Sequence, residues 1–98
     1  MDLQEQYSEE NIRKQLVAKI EKEYGTKHDI KIALFKPVGE YNDETYNYEP
    51  ILILVDKNYD EIDHNINVWD LVPSDDEQRE HWDSGEDDLT VDAITIKF

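Results

Sequence analysis

Carboxylates are the side chains of this chain best placed to do chemistry. There are 25 Asp and Glu against 10 Lys and Arg, for a net charge of −15 over 98 residues. Acid–base catalysis needs a carboxyl held in a dry cleft beside a partner of contrasting environment. The acids here fall instead in hydrophilic runs such as Asp83-Ser84-Gly85-Glu86-Asp87-Asp88, where water keeps them ordinary. His28, His64 and His81 stand far apart and match neither a zinc-finger nor a metalloprotease spacing. The chain has no cysteine to attack a substrate or bind a metal, and only three glycines, with no phosphate-cradling loop among them. Asp56-Lys57-Asn58-Tyr59-Asp60 matches the first three ligand positions of a calcium loop. Glu61 then stands where that loop turns on glycine, and Asn67 where it needs a bidentate glutamate, so these residues read as a turn. The expectation is a protein that is not an enzyme and holds neither metal nor cofactor.

Binding is the chemistry that fits better. Residues 40–49 interleave Tyr41, Tyr46 and Tyr48 with Glu40, Asp43, Glu44 and Glu49. Tyrosine offers large, stiff contact area with a polar tip, and its ring attracts guanidinium groups. A second acidic set, Asp75, Asp76, Glu77, Glu80, Asp83, Glu86, Asp87 and Asp88, follows toward the C-terminus. Carboxylates spaced on a rigid frame imitate the charge row of a nucleic acid. These two sets are the expected partner-binding residues.

The placement of charge supports this. Residues 1–36 hold seven acids and seven bases, whereas residues 37–98 hold 18 acids against Lys57, Arg79 and Lys97. All the net charge therefore lies in the last two thirds of the chain. Such a surface repels nucleic acid and anionic membranes and attracts basic proteins. Solubility alone does not call for that asymmetry. The other reading, an ordinary interaction or accessory domain whose acidity is incidental, stays open.

The elements that would position these residues fit one domain spanning 1–98. Ser8 caps a helix whose stripe is Ile12, Leu16, Ile20 and Tyr24, with Gly25 at its end. Its exposed face should carry the pairs Glu9–Arg13, Glu10–Lys14 and Lys19–Glu23. A strand is predicted from Asp29 to Lys36, ended by Pro37, then a polar loop to Pro50. Ile51 to Val55 reads as a central strand buried on both faces. Asn58 to Asp60 form a turn, and a short strand follows around Ile66 to Leu71. Ser74 and Glu77 have the form of a capping box, opening a short helix to about Trp82. Leu89 to Phe98 closes the chain as a strand. The order α-β-β-β-α-β predicts an α+β fold: one amphipathic N-terminal helix on a mainly antiparallel sheet of three to four strands, with Trp69 or Trp82 sealing its edge. The first ten residues have no basic or long apolar run and no stretch could span a bilayer, so a cytoplasmic protein is expected.

In size, charge and α+β pattern the whole chain resembles the small acidic inhibitors of phages and mobile elements and the immunity proteins against nuclease toxins. That group includes anti-CRISPR proteins, uracil-DNA glycosylase inhibitors and other DNA mimics. The resemblance implies a protein that occupies the basic groove of a nuclease or other nucleic-acid-binding protein and blocks its substrate. Residues 8–56 also resemble, in element order, the minimal nucleotidyltransferases. That family has Gly-Ser after its first strand and paired aspartates at the second. Here Lys36-Pro37 and the single Asp56 stand in those places, which argues against its catalysis.

Overall fold

The structure is a computed structural model describing residues 3–74, 76–77 and 92–98, with Leu3, Gln4, Glu40 and Asn47 described by their backbone only. A four-residue helix, α1 (Leu3–Gln6), leads into the main helix, α2 (Glu9–Tyr24). The Ser8 hydroxyl accepts from the Asn11 N–H, and Gly25 closes the helix at φ 81°, a left-handed conformation that suits glycine. Ile12, Leu16 and Ile20 are fully buried, so the four-residue spacing lies against the sheet as expected.

Among the described residues four antiparallel strands, β1 (Ile30–Asn42), β2 (Asn47–Asp56), β3 (Glu61–Ile62) and β4 (Ile94–Lys97), form one sheet in the order β3-β2-β1-β4. This is the α+β class. One sheet face packs Ala33, Phe35, Leu52, Leu54 and Ile94 against α2, with Val68 and Leu71 closing the cluster. Arg13 links helix to sheet by donating to the Thr95 carbonyl at 3.0 Å. No described helix is long and apolar enough to cross a membrane.

The structure departs from the sequence pattern at several places. Pro37 does not end β1. It lies in an irregular stretch between the paired residues Lys36 and Glu40, where a missing N–H breaks no regular ladder bond, and β1 resumes beyond it. The stretch 37–50 is thus a β-hairpin, not a loop. Gly39 permits it, since a Cβ there would lie 2.5 Å from the Glu49 carbonyl oxygen and from Ile51 Cγ1. The run Ile51–Val55 is not buried on both faces: Leu52 and Leu54 are buried, while Ile51, Ile53 and Val55 are half-buried on the other side. No strand forms at 66–71, where Trp69–Leu71 is a single 3₁₀ turn. The cause lies in His64. The Ile66 N–H donates to its Nδ1, so Nε2 carries the hydrogen and donates to the Leu52 carbonyl at 2.6 Å. With Leu54 paired to Ile62, Leu52 is where the next ladder bond would fall, and the imidazole takes it in place of backbone.

Trp69 is exposed and seals nothing, and Trp82 lies outside the described residues. The helix expected from 74 to 82 lies mostly outside them too. Its capping box is formed: the Glu77 N–H donates to Ser74 Oγ at 3.2 Å, and Glu77 Oε1 accepts from the Ser74 N–H at 3.1 Å. Of the strand expected over 89–98, Ile94–Lys97 is formed and 89–91 lie outside.

Candidate protein-interaction site

The hairpin is the part of the fold that stands apart. β4 pairs with β1 only from Ile32 to Phe35, and β3 with β2 only at Leu54 and Val55. Beyond Lys36 and Ile51, therefore, β1 and β2 continue, among the described residues, as a two-stranded ribbon roughly 20 Å long. It turns on Asp43 to Tyr46, where the Asn42 side-chain oxygen accepts from the Glu44 N–H at 2.9 Å.

Its side chains divide by the pleat. Tyr41 and Tyr48 face each other across the ladder, their rings 5.2 Å apart and tilted by 60°. By alternation from Leu52, Tyr48 lies on the helix side of the sheet, past the part that the described core covers. Tyr41, Tyr48 and Tyr46 are 49%, 59% and 79% exposed, so none folds back into the core. Tyr46 also holds φ 57°, a conformation rare for an aromatic residue. The register sets the backbones of Glu40 and Glu49 at one cross-strand position. On the side opposite Tyr48, Asn42 Nδ2 donates to the Glu49 carboxylate at 2.6 Å. From Val38 to Pro50 the ribbon has four acids and no base.

No protein family, no characterised protein and no solved structure matches this chain. The site is therefore read from geometry alone. Of the second acidic set, Asp76 and Glu77 are described, and Asp75, Glu80, Asp83, Glu86, Asp87 and Asp88 lie outside the described residues. Asp76 is exposed. Glu77 is half-buried and occupied: besides the capping box, its carboxylate accepts from the Tyr7 hydroxyl at 3.0 Å. The Ser74 N–H, aided by Tyr7, holds the Glu77 carboxyl below the usual carboxylate range. Burial, then the bond to Glu77, pushes Tyr7 up to about 12. Glu77 thus joins the N-terminal segment to the acidic region.

Removing that hydroxyl in Tyr7→Phe is expected to lower stability by about 2 kcal/mol at pH 7. Because the Glu77 carboxyl titrates lower in the folded chain, its contribution is present above the ordinary carboxylate pKa and is lost as pH falls through the folded value. Urea unfolding at pH 7 and pH 3 should therefore show wild type and variant converging at acid pH. An equal gap at both would mean that the hydroxyl acts through a contact indifferent to the Glu77 charge, such as the Gln6 side-chain N–H that donates to it.

Ion pairs follow the expected scheme at Arg13–Glu9 and Lys14–Glu10. Lys19 departs from it, pairing with Asp70 at 3.0 Å beneath α2 rather than with Glu23. Asp56, first in the calcium-like sequence, uses Oδ1 to accept from the Asn58 and Asp60 N–H groups, closing the β2–β3 turn. No metal-binding group of three His, Asp or Glu occurs among the described residues. A cleft of about 480 Å³ lies between Glu21, His28, Lys31, Lys57 and Phe98. Its two cations are already engaged, Lys57 with Asp29 and Lys31 with the Tyr59 ring and hydroxyl.

Proposed function

We propose that this protein is a binding inhibitor that offers an anionic, nucleic-acid-like surface to a basic partner, a nuclease or another nucleic-acid-binding protein, and so blocks its substrate site. The observation that carries this reading is the exposed ribbon, which joins a tyrosine pair and a tyrosine tip to four carboxylates, with no base from Val38 to Pro50. A ribbon of this width enters a groove shaped for a nucleic-acid backbone. Carboxylates then meet the lysines and arginines, and the rings supply packed area and guanidinium contacts. Neither catalysis nor a cofactor enters this reading.

The test is competition. Partners captured from a host lysate at low salt should be basic, and duplex DNA or structured RNA should displace the chain from them. Affinity should fall steeply between about 50 and about 200 mM salt. Asp43→Lys with Glu44→Lys should slow association about tenfold at low salt with little change in dissociation. Binding indifferent to both salt and nucleic acid would return the acidity to a solubility role, with the chain as an ordinary interaction domain.

A further inference from the structure

The acids of the ribbon are spaced in a way that separates one strand of nucleic acid from two. Glu40 and Glu49 occupy one level of the ladder, and Asp43 and Glu44 follow in the turn, both exposed. At about 3.4 Å per residue, the steps from Glu40 through Asp43 to Glu44 cover roughly 10–13 Å. The four acids therefore average one charge per about 3 Å of ribbon. A single nucleic-acid strand carries one charge per about 3.4 Å, and a duplex one per about 1.7 Å of axis. The ribbon has the charge density of the single strand and about half that of the duplex.

The rings point the same way. Tyr41, Tyr46 and Tyr48 are all exposed, and the 60° tilt between Tyr41 and Tyr48 means that neither ring lies flat on the other. A duplex keeps its base faces stacked inside and shows only backbone and base edges in its grooves. An unpaired strand offers planar faces beside its charges, and grooves built for it answer with a basic track and with stacking platforms of aromatic or guanidinium groups. Tyr48 and Glu49, successive along β2, project to opposite sides of the ribbon, so a ring and a carboxylate are divided as base and phosphate are along a strand.

Given the anionic inhibitor proposed above, we infer that the partner's groove is one that holds an unpaired strand of DNA or RNA. The tyrosine rings take the places of bases on its platforms, and the carboxylates take those of phosphates on its basic track. A groove for duplex would meet too little charge on this ribbon, and would have no platform for the rings.

Displacement decides this. Salt dependence does not, because any anionic ligand shares it. Basic protein captured on the immobilised chain at low salt is challenged with three competitors at matched phosphate concentration. They are an unpaired oligonucleotide of about 16 nucleotides, the upper site size of one single-strand-binding fold, the same strand annealed to its complement, and an abasic strand of equal length. The unpaired strand should release the partner at a concentration at least about tenfold below that of the duplex, and the abasic strand should lose this advantage. Duplex as effective as the unpaired strand overturns the inference and leaves the inhibitor reading standing. An abasic strand as effective as the intact one overturns it too, since the rings would then stand for no base. A partner released by none of the three, or the capture of no basic protein, sinks the inhibitor reading itself.

Discussion

Phe35→Ala is expected to cost about 4 kcal/mol and to lower the melting temperature by roughly 15–30 °C. Among the described residues Phe35 is the largest fully buried side chain. It sits on β1, inside the sheet, with Leu52 and Ile94 as its cross-strand neighbours on either side and α2 above. Few neighbours could close over the hole, because Ala33 is already small and Ile12, Leu16 and Ile20 are fixed by the helix. A domain of this length holds about 5–15 kcal/mol in all, and self-repulsion at net charge −15 pulls it toward the low end. Thermal denaturation with chemical denaturation at 25 °C measures the loss. A loss under about 1 kcal/mol would mean that the cluster repacks, and that the sheet–helix layer is less specified than its burial implies.

The same core explains what was legible in the sequence. Ser8, the Ile12–Leu16–Ile20 stripe and Gly25 define α2 because cap, periodicity and stop agree locally. The capping box at Ser74 and Glu77 was legible for the same reason. What failed depended on partners far away in sequence. Pro37 and Pro50 look like breakers until β4 is seen to end at Phe35, which leaves the ribbon beyond it few ladder bonds to lose. The ribbon also lacks an apolar face to announce it. Its only strand signal was tyrosine at 41 and 48 about the turn-forming Asn42-Asp43-Glu44. The missing strand at 66–71 depends on an imidazole reaching the Leu52 carbonyl, and the Lys19–Asp70 pair on the 3₁₀ turn packing under α2. Neither has a local pattern. Composition singles out the tyrosines and acids of 40–49 as an expected binding segment, but the placement of Tyr41 and Tyr48 on one side of the ribbon and Glu49 on the other follows only from the register.

That separation leads to the second large effect. Tyr41→Ala with Tyr48→Ala is expected to weaken binding of the basic partner by about 100- to 1,000-fold, some 3–4 kcal/mol, chiefly through faster dissociation. The two rings rest on each other and on solvent, so removing both leaves no cavity in the core. Fold stability should change by less than about 1 kcal/mol, the scale of one cross-strand aromatic pair. Tyr46 makes the distinction sharper. At φ 57° a tyrosine is strained by roughly 1 kcal/mol relative to glycine. Tyr46→Gly should therefore leave the domain as stable as wild type or more so, and still weaken binding at least tenfold. A residue kept for folding cannot behave in this way, because its loss must lower stability before it lowers affinity. Surface-immobilised kinetics of wild type, the Tyr41/Tyr48 double variant and Tyr46→Gly, with melting curves on the same samples, decide the matter. If Tyr46→Gly binds as tightly as wild type, the tip does not reach the partner. If the double variant does so too, the ribbon is not the binding element, and the interface belongs to the acids that follow Ser74.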